Sequence, residues 1–393
     1  MTVTERVPVL DFMTLSRTDD LYPMLAELRR ESPLIKGTIP LTWAVTRHAD
    51  VAALLRDDRL GHEFPRQYTE FMFGDGPATD FQQNILLNRD PPDHTRLRNL
   101  MGKAFRGLTV RKLHDHIVDL VDALIEPALE KQDFDVIGDL AFPLPVQVIC
   151  ELLGIDDVDR DEVRTHVVDL VGLDPVAMNR GTTWLRDYVG EMITRRRPDP
   201  DGDLVQRMLA AEEGEDALTH DEIVDNALLL FFAGFETTSN LVGNGCVALL
   251  EHPDQMQKLW DNPALAAHAV EEFLRYDTPV PFVQRIAREP IEVGGHVVKE
   301  MRVVILLLAS ANHDEQVFAA PERLDIGRSP NPHVGFGGGI HHCMGAMLAR
   351  VEGEIVFRRL AERCARLEPN GVPSRRASSI RSFASVPVSA KAS

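Results

Sequence analysis

Apolar residues recur at three- and four-residue spacing along most of the chain, which is typical of helices buried on one face. The segments with this spacing are 19–30, 49–56, 95–105, 110–129, 144–153 and 182–196. The clearest helix is predicted to begin at Thr219, because Glu222 completes a capping box three residues later, and to continue to His252-Pro253. Residues 228–235 are apolar on nearly every side, so we expect this helix to be central.

Stretches with the composition of strands are short. They are residues 41–46, 291–298 around a Gly294-Gly295 turn, 301–308, and the tail 379–388. Loops are predicted at 198–203, 212–216 and 328–339, and we find no flexible linker and no internal repeat. The pattern therefore predicts a mainly α protein with a small β region: one domain over residues 1–393, with a helix-rich lobe and a smaller β-containing lobe.

Composition narrows the function classes. The chain has 393 residues, 44% of them hydrophobic, which is enough for a large core. Its net charge of −19 disfavours a nucleic-acid partner. Hydrophobic runs do not exceed the nine residues 227–235, and the first residues lack the basic-then-apolar order of a signal peptide. We expect a cytoplasmic protein with no nucleic-acid and no membrane partner.

One of the four cysteines differs from the others. Cys150, Cys246 and Cys364 lie inside helical patterns, where a thiol usually behaves as a small buried hydrophobe. Cys343 instead lies in the glycine-rich stretch 335–345, directly before an apolar helical pattern. A helix N-terminus stabilises a thiolate. The residues alone leave open a phosphate-binding loop, a His-Cys zinc site or a plain glycine-rich loop.

The order of residues around Cys343 resembles a known family. Phe336-Gly337-x-Gly339-x-His341-x-Cys343-x-Gly345 is similar to the haem-binding loop of the cytochrome P-450 family of haem-thiolate monooxygenases. The resemblance implies the cytochrome P-450 fold, with a long central helix over haem b and Cys343 as the axial ligand of its iron. It also implies that Phe336, Gly337, His341 and Gly345 contact the haem.

A second motif supports the resemblance. Ala233-Gly234-Phe235-Glu236-Thr237-Thr238 lies in the long predicted helix, and Glu236 and Thr237 match the acid-alcohol pair of oxygen-activating members, with dioxygen as co-substrate. Ala233 would contact the haem. Taken without the other motifs, a threonine pair beside one solvated glutamate fits an ordinary helix better than a catalytic site.

The resemblance assigns further structural and cofactor-binding residues. His94, Arg98, Arg285 and His341 match the partners of the haem propionates, which need cationic or hydrogen-bonding groups. Glu272, Arg275 and Arg323 match a buried Glu-Arg-Arg network. For each residue alone, a solvated position or a surface ion pair is the competing interpretation.

Substrate contacts are predicted from family position. Segment 60–87 corresponds to a mobile loop that covers the substrate. The candidate contacts are Phe64, Phe73, Phe81, Leu229, Phe232, Val280, Phe282, Val283 and Phe383. Such a lining implies an apolar ligand of moderate size, while ordinary core packing is the alternative.

A basic stretch interrupts the acidic chain. Between His94 and Lys112 there are six basic residues and no acidic one. Besides Arg98 they are Arg96, Lys103, Arg106, Arg111 and Lys112. The functional hypothesis is a docking patch for an acidic ferredoxin or flavodoxin, and the alternative is a solvated helix face.

The sequence therefore predicts a monooxygenase that hydroxylates or epoxidises an apolar small molecule, in bacterial secondary metabolism. Electrons would come from NAD(P)H through a ferredoxin and its reductase. Oxidative coupling, peroxide-driven oxygenation and a non-catalytic haem-binding protein are the alternatives. Departures from the family pattern at Met301, Leu324 and Met344 bear on loop geometry.

Overall fold

The computed structural model of the chain describes residues 9–11, 15, 18, 21–106, 110–155, 160–170, 174–213, 216–376 and 380–392. The described residues form two compact units. Unit 1 comprises the described residues of Met1–Gly61, Val121–Ala141 and Thr237–Ser393. Unit 2 comprises those of His62–Leu120 and Phe142–Glu236.

Helices make up most of the described structure. They are α1 (Leu21–Glu31), α2 (His48–Leu54), α3 (Arg66–Phe73), α4 (Pro77–Asn84), α5 (Asp93–Arg106), α6 (Val110–Lys131), α7 (Pro143–Leu153), α8 (Arg160–Leu170), α9 (Pro175–Thr194), α10 (Leu204–Leu209), α11 (His220–Glu251), α12 (Pro253–Asp261), α13 (Ala266–Tyr276), α14 (Leu308–Ala311) and α15 (Ala346–Arg363). Residues Val136–Ala141 form a π-helical turn, and Leu86–Asn88, Pro263–Leu265 and Gly339–His341 form 3₁₀ turns.

The strands are short. They are β1 (Val9–Leu10), β2 (Leu34–Gly37), β3 (Thr42–Val45), β4 (Leu60–Gly61), β5 (Phe134–Asp135), β6 (Glu212–Glu213), β7 (Asp216–Ala217), β8 (Val283–Ala287), β9 (Ile291–Val293), β10 (His296–Val298), β11 (Val303–Leu306), β12 (Cys364–Pro369), β13 (Ser374–Arg375), β14 (Phe383–Ser385) and β15 (Pro387–Ala392). The prediction of a mainly α protein with a small β region is confirmed.

The longest predicted helix is confirmed together with its capping box. The backbone N–H of Thr219 donates to the Glu222 carboxylate at 2.9 Å, and the Glu222 N–H donates to the Thr219 hydroxyl at 3.3 Å. The α11 helix then runs for 32 residues, and residues 223–229 and 238–249 are all buried. The two exchanged hydrogen bonds satisfy donors that a helix start otherwise leaves unpaired.

The segment over residues 60–87, predicted to correspond to a loop that covers the substrate, contains the helices α3 and α4. Gly74 ends α3 with a φ of 78°, and Pro77 begins α4 in the first turn, where proline loses no hydrogen bond. Within unit 2, Asn179 of α9 joins both helices: it accepts from the Ala78 N–H at 3.0 Å and donates to the Phe73 carbonyl at 3.3 Å. The segment is ordered by a residue far away in the sequence.

The largest sheet lies in unit 1 and has the strand order β1-β2-β3-β11-β8-β4. The β1–β2 and β3–β11 pairs are parallel, and the other neighbours are antiparallel. Beside it, β9 and β10 form the predicted hairpin, with Gly294 and Gly295 at positive φ. A buried apolar cluster that includes Leu34, Val304 and Val334 packs around these strands.

Small residues allow the helices of unit 1 to approach closely. A Cβ placed on Gly245 of α11 would lie 2.5 Å from the Phe357 ring and 2.8 Å from the Phe273 ring. A Cβ on Gly353 of α15 would lie 3.0 Å from Val270. The carboxyl-terminal half of α11, α13 and α15 therefore pack at distances that larger residues would prevent.

One segment meets the length and composition criteria of a membrane span. It is Val136–Leu153, with a mean hydropathy of 1.7, and 56% of it is buried inside the protein. Because buried core helices commonly meet the same criteria, the segment is weak evidence for a membrane span.

Glu352 of α15 provides a test of the buried core of unit 1. Its side chain is 1% exposed, its Oε2 atom has no hydrogen-bond partner among the described residues, and burial raises its pKa to about 8. An unfolded glutamate titrates near pH 4.3. The contribution of Glu352 to the free energy of unfolding should therefore be greatest below that pH and fall as the pH rises to about 8.

We expect Glu352→Gln to remove this fall, because glutamine does not ionise, and to stabilise the protein at pH 8 by a few kcal/mol. Each tenfold change in the proton affinity of a group corresponds to about 1.4 kcal/mol. Urea unfolding between pH 5 and pH 9 measures this. Glu354→Gln, on the same helix but less buried, is the control. Parallel pH profiles for the wild type and Glu352→Gln would contradict the prediction.

Candidate functional site

Cys343 is the exposed cysteine of the chain. Cys150, Cys246 and Cys364 are buried, as predicted. Burial raises the pKa of the Cys246 thiol to about 12 and of the Cys364 thiol to about 11, so both stay protonated at neutral pH. Cys343 lies three residues before α15 and is accessible to a ligand.

The loop before Cys343 is held by its own backbone. Its first residue, Gly335, follows the buried Val334, whose N–H donates to Asn312 Oδ1 at 2.8 Å. The Gly337 N–H donates to the Val334 carbonyl at 2.8 Å, and the Cys343 N–H donates to the Phe336 carbonyl at 3.1 Å. The position of Cys343 is thus fixed by the residues at the start of the loop.

Two glycines of this loop have different structural roles. Gly339 has a φ of 67°, and a Cβ there would lie 2.4 Å from the Leu55 carbonyl oxygen. Glycine is therefore required for the loop to fold. Gly345 has an ordinary φ of −83°, and a Cβ there would have nothing within 4 Å. Gly345 leaves open space two residues after the thiol.

A fully buried ion pair lies beside the loop. Glu272 and Arg275 of α13 are both 0% exposed, and Arg275 donates twice to the Glu272 carboxylate, each time at 2.8 Å. Its remaining N–H groups donate to three backbone carbonyls, those of Asn312 (3.1 Å), Pro321 (2.8 Å) and Arg323 (3.1 Å). All five guanidinium N–H groups are used.

The predicted third member of this network is corrected. Arg323 is exposed and contributes its backbone carbonyl. The second guanidinium on Glu272 belongs to Arg328, whose Nε lies 3.1 Å from each carboxylate oxygen. Arg328 is held there by further bonds to the carbonyls of Ala319 and Arg323. Sequence position could not distinguish two arginines five residues apart in one loop.

The motif on α11 interrupts the otherwise buried middle of that helix. Leu230, Phe232, Ala233, Gly234 and Thr237 keep partial exposure among buried neighbours. Apart from Phe232, their three- and four-residue spacing places them on one face. Glu236 is 4% exposed and Thr238 is 3% exposed. Of the predicted acid-alcohol pair, Thr237 is the more accessible side chain.

Each unit contains two of the four predicted propionate partners. In unit 2, His94 and Arg98 are one turn apart on α5; burial and then the charge of Arg98 lower the pKa of His94. In unit 1, Arg285 lies on β8 and is 5% exposed, with a bond to the Gln284 carbonyl at 2.7 Å. His341 lies in the 3₁₀ turn before Cys343.

The predicted substrate residues differ in exposure. Phe81 is 0% exposed and its ring packs edge-on against Phe232, 6.1 Å between centroids, so it is a core residue and the prediction is corrected. Leu229 and Phe383 are also buried. Partly exposed are Phe64, Phe73, Phe232, Val280, Phe282 and Val283. An apolar cavity in unit 2, lined by Leu153, Leu185 and Phe231 among others, includes none of the predicted residues.

The predicted basic patch is only partly described. Arg96 forms an ion pair with Glu222 within unit 2. Because Glu222 compensates its charge, the prediction that Arg96 contributes positive charge to the docking patch is corrected. Lys103 lies on α5 with partial exposure. The side chains of Arg106, Arg111 and Lys112 lie outside the described residues.

Comparison with known proteins identifies the family. The sequence model of the family described as "Cytochrome P450" matches residues 182–263 and 261–388. The chain is 40% identical over 344 residues to a vitamin D(3) 25-hydroxylase of Pseudonocardia autotrophica, covering 86% of this chain and 85% of that protein. The chain belongs to the cytochrome P450 family.

Two further cytochromes P450 cover nearly the whole chain. The polyketide biosynthesis cytochrome P450 PksS of Bacillus subtilis is 35% identical, over 94% of this chain and 95% of its own. The crystal structure of P450BioI in complex with an acyl carrier protein ligated to hexadec-9Z-enoic acid has a TM-score of 0.89 and 32% identity. The structural match covers 96% of this chain and 100% of the matched chain. The predicted cytochrome P450 fold is confirmed.

The residues present fit the haem that a cytochrome P450 uses. Haem iron in this family takes a cysteine thiolate, and Cys343 supplies an exposed thiol on a fixed loop at a helix start. The open space at Gly345 and Gly337 gives a flat group room beside the sulfur. Among the described residues, no cluster of three or more histidine, cysteine and carboxylate side chains is placed to hold a metal ion by itself.

Replacing each arginine near Glu272 tests the corrected network. We expect Arg328→Ala to lower the free energy of unfolding by about 2–3 kcal/mol, because two bonds to a buried carboxylate are lost. Arg323→Ala should change it by less than about 0.5 kcal/mol, because its backbone carbonyl remains. Urea unfolding of both variants measures this, and equal effects would show that Arg328 has no special role.

Replacing each of the two glycines tests the loop. Gly339→Ala should destabilise the protein by about 2 kcal/mol or more, because a positive φ alone costs an alanine roughly 1–2 kcal/mol and its Cβ meets the Leu55 carbonyl. Gly345→Ala meets no atom and should cost less than about 1 kcal/mol. Chemical denaturation distinguishes them, and a larger loss in Gly345→Ala would refute this account of the loop.

Proposed function

We propose that this cytochrome P450 is a single-domain monooxygenase that hydroxylates or epoxidises an apolar small molecule. The observation that carries the proposal is the exposed Cys343 thiol on a glycine loop that its own backbone bonds hold in place. Haem, once bound, supplies an iron centre that activates dioxygen. Cys343 would ligate that iron, with Phe336, Gly337, Ala233 and Gly345 beside the haem.

Four residues are proposed to bind the haem propionates. Arg285, His94, Arg98 and His341 offer hydrogen-bond donors. Of these, His94 and Arg285 are 2% and 5% exposed, and a charged partner has a stronger effect at such buried positions than in water. Burial and the charge of Arg98 lower the pKa of His94, and either protonation state of its ring has an N–H to donate.

Glu236 and Thr237 are proposed as the proton-handling residues. Thr237 lies on the less buried face of α11, and its hydroxyl can both donate and accept a hydrogen bond. Glu236 is adjacent and mostly buried, and its carboxyl can exchange protons with the hydroxyl through water. The presence of these two residues favours dioxygen over peroxide as the oxidant and leaves oxidative coupling as an alternative.

For the substrate and the electron donor, the proposal gives only the chemical class. Partly exposed Phe232 on α11, with Phe282 and Val283, offers apolar contact surface. Similarity to a vitamin D(3) hydroxylase and to a polyketide biosynthesis P450 supports a secondary metabolite with a large apolar skeleton. An acidic ferredoxin or flavodoxin would dock at Lys103, Arg106, Arg111 and Lys112, in the cytoplasm, and relay electrons from NAD(P)H.

The experiment is oxygen incorporation in a reconstituted system. Purified protein with NADH, a surrogate ferredoxin and its reductase is given ¹⁸O₂ and a panel of steroids and macrolides, chosen by ligand-induced spectral shifts. We expect one ¹⁸O atom in each product. Thr237→Ala should at least halve the product formed per NADH and release hydrogen peroxide, because a proton-handling hydroxyl is lost.

Thr238→Ala is the matched control, since it removes the same group from the neighbouring, buried position. It should keep the wild-type yield of product per NADH. If the wild type gives product without incorporating ¹⁸O, or if both threonine variants behave alike, the proposed reaction or the proposed role of Thr237 is wrong.

A further inference from the structure

A second cluster of charged residues lies at the start of the Cys343 loop. Glu271 of α13 accepts from Arg350 of α15, at 2.6 Å from Nε and 3.1 Å from Nη2, and from His333 Nε2 at 2.9 Å. Burial opposes ionisation of Glu271, but its bonds to His333 and Arg350 and the charge of Arg350 outweigh this and lower its pKa to about 2. The carboxylate is therefore charged throughout the physiological range.

Both partners of Glu271 contact the loop. His333 Nδ1 accepts from the Gly335 N–H at 3.1 Å, so the ring proton is on Nε2 and points to Glu271. The Arg350 guanidinium carbon lies 4.4 Å from the centre of the Phe336 ring. This is cation–π distance. The cluster holds the backbone at Gly335 and the ring at Phe336.

Phe336 connects this cluster to the thiol. Its carbonyl accepts the Cys343 N–H at 3.1 Å. Groups that contact a metal-ligating residue fix the orientation of that residue and tune the electronic properties of the metal. We propose that Glu271, His333 and Arg350 are positioning residues that hold Phe336, and through it Cys343, in the geometry for iron ligation. The inference rests on the proposed role of Cys343.

The charges of the cluster predict opposite effects on the reduction potential of bound haem. Reduction adds an electron, which a nearby cation favours and a nearby anion opposes. We expect Arg350→Gln to lower the potential and Glu271→Gln to raise it, with the double variant closer to the wild type. Disruption of the fold alone would not give two shifts of opposite sign.

The structure offers a matched control on the same helix. Arg358 has a 40% exposed side chain and pairs with Glu354, whereas Arg350 has a 41% exposed side chain and pairs with Glu271. Arg358→Gln should leave the potential unchanged. Haem transfer to excess apomyoglobin should be about tenfold faster from Arg350→Gln than from the wild type, and unchanged in Arg358→Gln. Arg350→Lys, which keeps the charge, should recover most of the potential.

Spectroelectrochemical titration and the haem-transfer rate decide the proposal. Shifts of equal sign in Arg350→Gln and Glu271→Gln, or Arg350→Gln behaving as Arg358→Gln, would overturn it. The reduced, carbon monoxide-bound spectrum of the wild type separates this from failure of the proposed function. Without a thiolate signature in the wild type, the role of Cys343 itself fails.

Discussion

The Arg275 guanidinium holds together the part of unit 1 that carries Cys343. It is fully buried and bonds Glu272 on its own helix together with the backbone of Asn312, Pro321 and Arg323. The Asn312 side chain in turn accepts the N–H of Val334, where the Cys343 loop begins. Removing one partner of such a buried pair typically costs about 3–5 kcal/mol, so Arg275 is one of the main supports of the start of the loop.

Hydrogen bonds and close contacts within the protein hold the loop that carries Cys343. Gly339 passes directly over the Leu55 carbonyl, Phe336 bonds the Cys343 N–H, and Glu271 fixes the two side chains that hold Phe336 and Gly335. A ligand that is already oriented loses little conformational entropy when iron binds. Adjacent carboxylates on α13, Glu271 and Glu272, therefore support the loop from two separate networks.

Local signals in the sequence predicted the parts that depend on neighbouring residues. The Thr219–Glu222 capping box, the Gly294-Gly295 hairpin and the distinct position of Cys343 follow from short spacing. The choice of Arg328 over Arg323 was not predictable, because it depends on how the chain folds around Glu272, some fifty residues away. Helices α3 and α4 were missed for a similar reason, since Asn179 on α9 completes their bonds.

The most direct test of the account is the absorption spectrum of the dithionite-reduced protein under carbon monoxide, for the wild type, Cys343→Ser and Cys150→Ser. Cys150 is a buried thiol of unit 2 and serves as the control. We expect the strongly red-shifted Soret band of thiolate-ligated haem in the wild type and Cys150→Ser, and its loss in Cys343→Ser. A shifted band that persists in Cys343→Ser, or is absent from the wild type, would contradict this expectation.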